Sequence, residues 1–154
     1  MLLDTQLSFG PVQAVTASAP SGNAIDITTA RNIGVGEPNY LLVTCTVAMT
    51  DIGSDSTVTP SLRTSSTATG SGTTLALSGT IFTLATLPAF PALSPTGTQR
   101  IVALPPAAKD LPYKEFLDVY YTVANGNLTT GSFTAQITHD IDANQSYAAG
   151  YTIQ

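Results

Sequence analysis

Three segments of this chain alternate apolar and polar residues with a period of two, and that alternation constrains the fold more than any other feature. In residues 40–47, Leu41, Val43, Cys45 and Val47 share one face while Thr44 and Thr46 take the other. In residues 116–123, Leu117, Val119, Tyr121 and Val123 alternate with Asp118, Tyr120 and Thr122. Residues 132–138 repeat the pattern, with Phe133, Ala135 and Ile137 set against Thr134, Gln136 and Thr138. Successive side chains of an extended strand point to opposite sides. Each segment therefore buries one face and wets the other, the habit of antiparallel sheets.

Weaker strands are expected at residues 12–17, 23–27, 56–64, 73–77, 80–84 and 100–104, all short and rich in Thr or β-branched residues. Turn signals separate them at Ser21-Gly22-Asn23, Gly34-Val35-Gly36, Asp51-Ile52-Gly53, Ser78-Gly79 and Asn125-Gly126. Ser78-Gly79 predicts a tight hairpin between two short strands, and Asn125-Gly126 falls in a longer loop between two strong ones. Pro60, which has no N–H to give, predicts an edge strand or a bulge. Helix signals are nearly absent. Residues 107–111 could form one turn, but Pro105, Pro106 and Pro112 enclose it. The class is all-β, built as a sandwich, barrel or jelly roll within one domain spanning residues 1–154.

Two segments break the strand rhythm. Residues 64–74 (TSSTATGSGTT) are small and polar and are expected to form a mobile loop. Residues 85–99 carry Pro88, Pro91 and Pro95 together with Leu87, Phe90 and Leu93, more apolar area than a solvated loop has reason to hold. That segment either folds back over the core or forms a docking surface for another chain. The tail from residue 142 to 154 is expected to be extended, and its Tyr147 and Tyr151 raise the same question.

Composition narrows the function. Charged residues are 10% of the chain and the net charge is −5, so a phosphate-neutralising nucleic-acid surface is excluded. Thr and Ser make up about a quarter of the residues, which gives a surface wetted by hydroxyls rather than ions. No apolar run approaches the roughly 20 residues of a membrane-spanning helix. Met1-Leu2-Leu3-Asp4 lacks the basic start and long apolar stretch of a signal peptide. A single cysteine excludes an internal disulfide framework.

The kit for catalysis is meagre. His139-Asp140-Ile141-Asp142 has metal-ligand character, but neighbours on an extended chain point apart, and the cluster reads as the turn that ends a strand. Cys45 lies among Leu41, Val43 and Val47 and reads as a small buried hydrophobe. Gly34-Val35-Gly36 leads into Glu37-Pro38 and a strand, so it fails the context test for a phosphate loop. Asp51 and Asp55 share a turn that falls short of a calcium loop. Asn127-Leu128-Thr129 and Asn144-Gln145-Ser146 fit the glycosylation pattern as chance would supply it in a Thr-rich chain. No enzyme, cofactor or metal is expected. Arg31 and Glu37 flank the glycine turn as a solvated pair or as a polar anchor at an interface. With Leu87, Phe90, Tyr147 and Tyr151 they are the contact candidates.

The residues also resemble a family. Met1-Leu2-Leu3-Asp4 with Gln6-Leu7 and Phe9, the run from Gln13 to Ala17, and Ser21, Asn23, Ile25 and Asp26 carry the likeness. So do the stretch from Ala30 through Glu37-Pro38 into an apolar strand, and the ending from Gly131 to Ala135 with Asp140 and Ser146 to Ile153. Together these resemble the capsid cement, or decoration, proteins first described in Bordetella phage. The likeness is strongest over the first 45 and last 25 residues, and residues 54–112 depart from it. The resemblance implies a jelly-roll β-sandwich on the outer surface of an icosahedral phage head, made in the host bacterial cytoplasm. It implies the major capsid protein and a second copy of the chain as partners, with a dimer expected over a trimer, and no catalytic residues. Two other readings compete. A carbohydrate-binding sandwich would need Tyr113, Tyr120 and Tyr147 to replace the missing Trp, and a hydrolase would rest on the single His139.

Overall fold

The strongest alternating segments become interior strands. A computed structural model of the chain describes residues 7–27, 39–70, 75–104 and 113–138. In one sheet, β1 (Gln13–Ala14), β11 (Thr130–Thr138), β4 (Tyr40–Thr50) and β9 (Gln99–Ala103) lie in that order. In the other, β2 (Ala19–Pro20) and β3 (Ile25–Asp26) both pair with β10 (Phe116–Ala124), followed by β5 (Thr57–Ser65) and β8 (Phe82–Thr86). A separate ribbon joins β6 (Thr67–Thr69) to β7 (Ala76–Ser78). Every pairing is antiparallel, and no α-helix occurs among the described residues. The all-β sandwich is what the alternation predicts.

Setting the ribbon aside and counting β2 with β3 as one interrupted strand, the chain changes sheet at every step except β5 to β8. The inward faces meet around Phe133 of β11. Its ring stacks on Tyr121 of β10 at 5.6 Å and meets the edge of Phe90 at 5.0 Å. Leu41, Val43 and Cys45 from one sheet and Val58, Leu62, Leu117 and Val119 from the other complete the core.

Several expectations change. The inward set of β4 is Leu41, Val43, Cys45 and Met49, while Val47 faces out. The register against β11 shifts on either side of Ser132, which pairs with Val47. Two bulges reverse the phase and then restore it. Pro60 is not on an edge, since β10 and β8 flank β5. Its carbonyl accepts from Leu87 N at 2.9 Å, so the side lacking an N–H faces the chain just past the end of β8, where no regular ladder needs the donor. Ser78-Gly79 does not close a hairpin between β7 and β8, because β7 pairs with β6 and β8 with β5. Gly79 is nonetheless required there: its φ is +68° and a side chain would meet Thr67 Oγ1 at 2.7 Å.

The loop expected over residues 64–74 is corrected as well. Thr64 and Ser65 are buried at the end of β5, and residues 67–69 pair in the ribbon. Leu75 ties the ribbon to the rest, its N–H meeting Asn23 Oδ1 and its carbonyl accepting from Ala24 N. Residues 71–74 and the tail 142–154 lie outside the described residues.

Candidate interaction surface

Two of the six contact candidates belong to the core. Leu87 is 2% exposed and Phe90 is fully buried. Phe90 exchanges two backbone hydrogen bonds with Val58, at 2.8 and 3.2 Å, so the proline-rich stretch runs on beside β5 after β8 ends. Pro88 and Pro91 fix an extended path there without competing for ladder donors. Of the two readings of residues 85–99, folding back over the core is the one observed, and docking by Leu87 or Phe90 is withdrawn. The segment is tied to β4: Met49 N donates to Ser94 O and Gly97 N to Cys45 O.

The other four candidates, Arg31, Glu37, Tyr147 and Tyr151, lie outside the described residues, as do His139 and Asp140 to Asp142. The strand ends that flank them share one end of the sandwich. Asp26 pairs with Phe116, and Tyr40 pairs with both Ala103 and Thr138. At the opposite end, the loops at residues 15–18, 51–56 and 125–129 are tied together or to β4, and residues 87–98 are bonded to β4 and β5. Leu128 N donates to Thr16 O, Thr129 N to Thr50 O, and Asn125 Nδ2 to Asp55 O.

That bonded end presents apolar groups to solvent. Ile52 is 99% exposed, Leu93 53% and Val47 46%. Leu93 holds a φ of +59°, a left-handed conformation unfavourable for a branched side chain. The Ser94 hydroxyl and N–H both donate to Pro91 O and fix the turn. No alternation marks Leu93 in the sequence, so periodicity could not have found it.

The two long sides of the sandwich also differ. Between β1 and β2 the Gln13 amide bridges the sheets, Nε2 donating to Pro20 O and Oε1 accepting from Gly22 N, both at 2.8 Å. Asn23 N adds a bond to Phe9 O. Between β8 and β9 the described bridge is a single side chain. Arg100 on β9 reaches over the Phe90 ring at 5.3 Å and donates from Nε to Ala89 O at 3.1 Å.

Chemical groups inside the sandwich are subdued. Burial pushes the Cys45 thiol up, and its Sγ lies 3.1 Å from Val47 O. Burial likewise raises the Tyr121 phenol far above its usual range. Among the described residues no three His, Cys, Asp or Glu side chains group as metal ligands, and no helix is long and apolar enough to cross a membrane. The Tyr120 ring, one of the three rings a sugar site would need, lies under the Arg63 guanidinium at 4.2 Å. Tyr113 packs against the core.

The family model of Bbp16 matches residues 9–137, from the first core phenylalanine to the last inward residue of β11. The chain belongs to the Bbp16 family. That name points to a Bordetella phage protein, which accords with a structural part in a virion. The match takes in the strands of both sheets, short only of Thr138 at the end of β11. No curated protein matches the chain.

Proposed function

We propose that this protein is a cement, or decoration, protein. In this reading it binds the outside of an icosahedral phage head and bridges neighbouring major capsid protein subunits without covalent bonds. The observation that carries the reading is the Bbp16 match laid over a two-sheet antiparallel sandwich with no α-helix among the described residues. The sheet changes at nearly every step favour the jelly-roll winding that the resemblance implies. A bridging protein repeated over a shell needs a surface whose copies tolerate one another, and a hydroxyl-rich surface with few charges supplies that. Each contact can be weak, because a molecule spanning two subunits meets the second at high effective concentration once the first is bound. The bound unit is a homodimer, and its action needs no cofactor or catalytic group.

Co-sedimentation with expanded shells lacking the protein tests this reading, with unexpanded precursor shells as the control. Saturable binding to expanded shells, accompanied by higher heat tolerance of the shell, is the expected result. Absence of binding to either kind of shell would return the chain to an unassigned sandwich.

A further inference from the structure

We infer that the open β8–β9 side of the sandwich receives an extended, acidic-ended peptide segment of a partner protein, which adds as a strand to β8 and rests on the docking role proposed above. An edge strand exposes a row of unpaired backbone donors and acceptors, and proteins usually blunt such edges with charge, proline, shortness or a cover. Among the described residues, three of the four edges are blunted. β1 and β2 span two residues each, β2 contains Pro20, and the Gln13 amide ties them together. β9 carries Arg100. β8 contains neither a charged residue nor a proline over its five residues; a register shift at Leu84 is its one irregularity, and its side away from β5 has no strand partner among the described residues.

Charge names the occupant. Lys114 stands at the start of β8, its Nζ 6.0 Å from the Phe82 ring centre. Arg100 stands at the far end, beside Ala89. Neither meets a carboxylate among the described residues, although the chain as a whole is acidic. The Arg100 guanidinium is already held by Ala89 O, Gln99 O and the Phe90 ring, so little ordering is left for a ligand to impose. Phe82 and Phe90 face Thr64 and Val58, six positions apart on β5 and about 20 Å of extended chain. A strand with carboxylates six positions apart presents both on one face and would meet both cations in either direction, while its backbone paired with β8.

A second copy fits this edge poorly. Antiparallel pairing of β8 with β8 about a two-fold axis sets the Phe82 end of one copy against the Ala89 end of the other. Lys114 would then face Arg100 twice over, and like charges at close quarters select against that partner.

The test uses the purified full chain and two blocked peptides, acetyl-EVTVTVD-amide and acetyl-KVTVTVK-amide, followed by titration and amide hydrogen exchange. The acidic peptide should bind at least tenfold more tightly and slow exchange at residues 82–86. Arg100→Gln and Lys114→Gln, made singly, should each reduce that preference several-fold. Lys114→Gln leaves the Phe90 packing untouched and so separates recognition from folding. Equal binding of both peptides, no protection of β8, or self-association through residues 82–86 would each overturn the inference. Because no shell is present, a failed peptide test leaves the cement reading standing, and a failed shell assay leaves the peptide site standing.

Discussion

Arg63 on β5 grips Asp118 on β10 through both carboxylate oxygens, Nε donating to Oδ1 at 2.9 Å and Nη2 to Oδ2. The two residues are direct cross-strand partners, and the guanidinium also covers Tyr120. Asp118 is 1% exposed although it belongs to the outward set of its strand, so its charge depends on this partner. Arg63→Ala leaves that carboxylate buried and unpaired, which costs several kcal/mol in closed sites. The Arg63 side chain keeps 18% of its exposure, so water can reach part of the pair and about 2–3 kcal/mol is expected. Urea denaturation of Arg63→Ala beside Arg63→Met/Asp118→Leu checks this: the double variant should recover most of the loss.

The same pair sets a pH dependence. Burial, only partly offset by the Arg63 hydrogen bonds and charge, raises the Asp118 carboxyl above 3.8. The native state then holds the proton to higher pH than the unfolded chain does. Its contribution is therefore full below 3.8 and is lost as pH rises through the raised value. Asp51 has the opposite sign. Ser56, followed by the Asp55 and Ser54 N–H groups, lowers its carboxyl, so its contribution holds above 3.8 and is lost as pH falls through the lowered value. Denaturation midpoints measured across the acid range should climb more steeply above pH 3.8 in Asp118→Asn than in the parent. In Asp51→Asn the loss on the acid side should be shallower.

Phe90 and Leu87 give a direct reading of the proline-rich segment. Phe90→Ala empties a site shared with Phe133 and should cost about 3–5 kcal/mol, and Leu87→Ala about 2–5 kcal/mol. Lower urea midpoints of that size would match their place in the core. Unchanged midpoints would put the two side chains back at the surface.

What the sequence made legible follows from how local each cause is. The phases of β10 and β11 could be taken straight from alternation, because their inward faces run unbroken from Leu117 to Tyr121 and from Phe133 to Ile137. β4 could be followed only as far as Cys45. Its bulges depend on the pairing with Ser132, which lies far along the chain and leaves no local trace. Burial of Leu87 and Phe90 was open for a similar reason: prolines erase periodicity, and only the bonds to Pro60 and Val58 decide the matter. Asp118 could be placed on the polar face, but its bond to Arg63 follows from strand register. A lone charge on each of two polar strand faces, in so charge-poor a chain, was the available signal.

Leu93 tests whether backbone strain serves the exposed end of the sandwich. Holding a non-glycine residue in the left-handed region costs about 1–2 kcal/mol. Leu93→Gly removes that cost but adds freedom to the unfolded chain worth about 0.5–1 kcal/mol, so a small net gain is expected. Thermal unfolding should show the midpoint rising by a few degrees, since half of the lost side chain was already in solvent. If the strain is kept because it presents an apolar contact to a partner, the same variant should bind expanded shells more weakly while folding more stably. A gain in both properties would mean that the turn around Pro91 and Ser94 imposes the conformation for packing reasons alone.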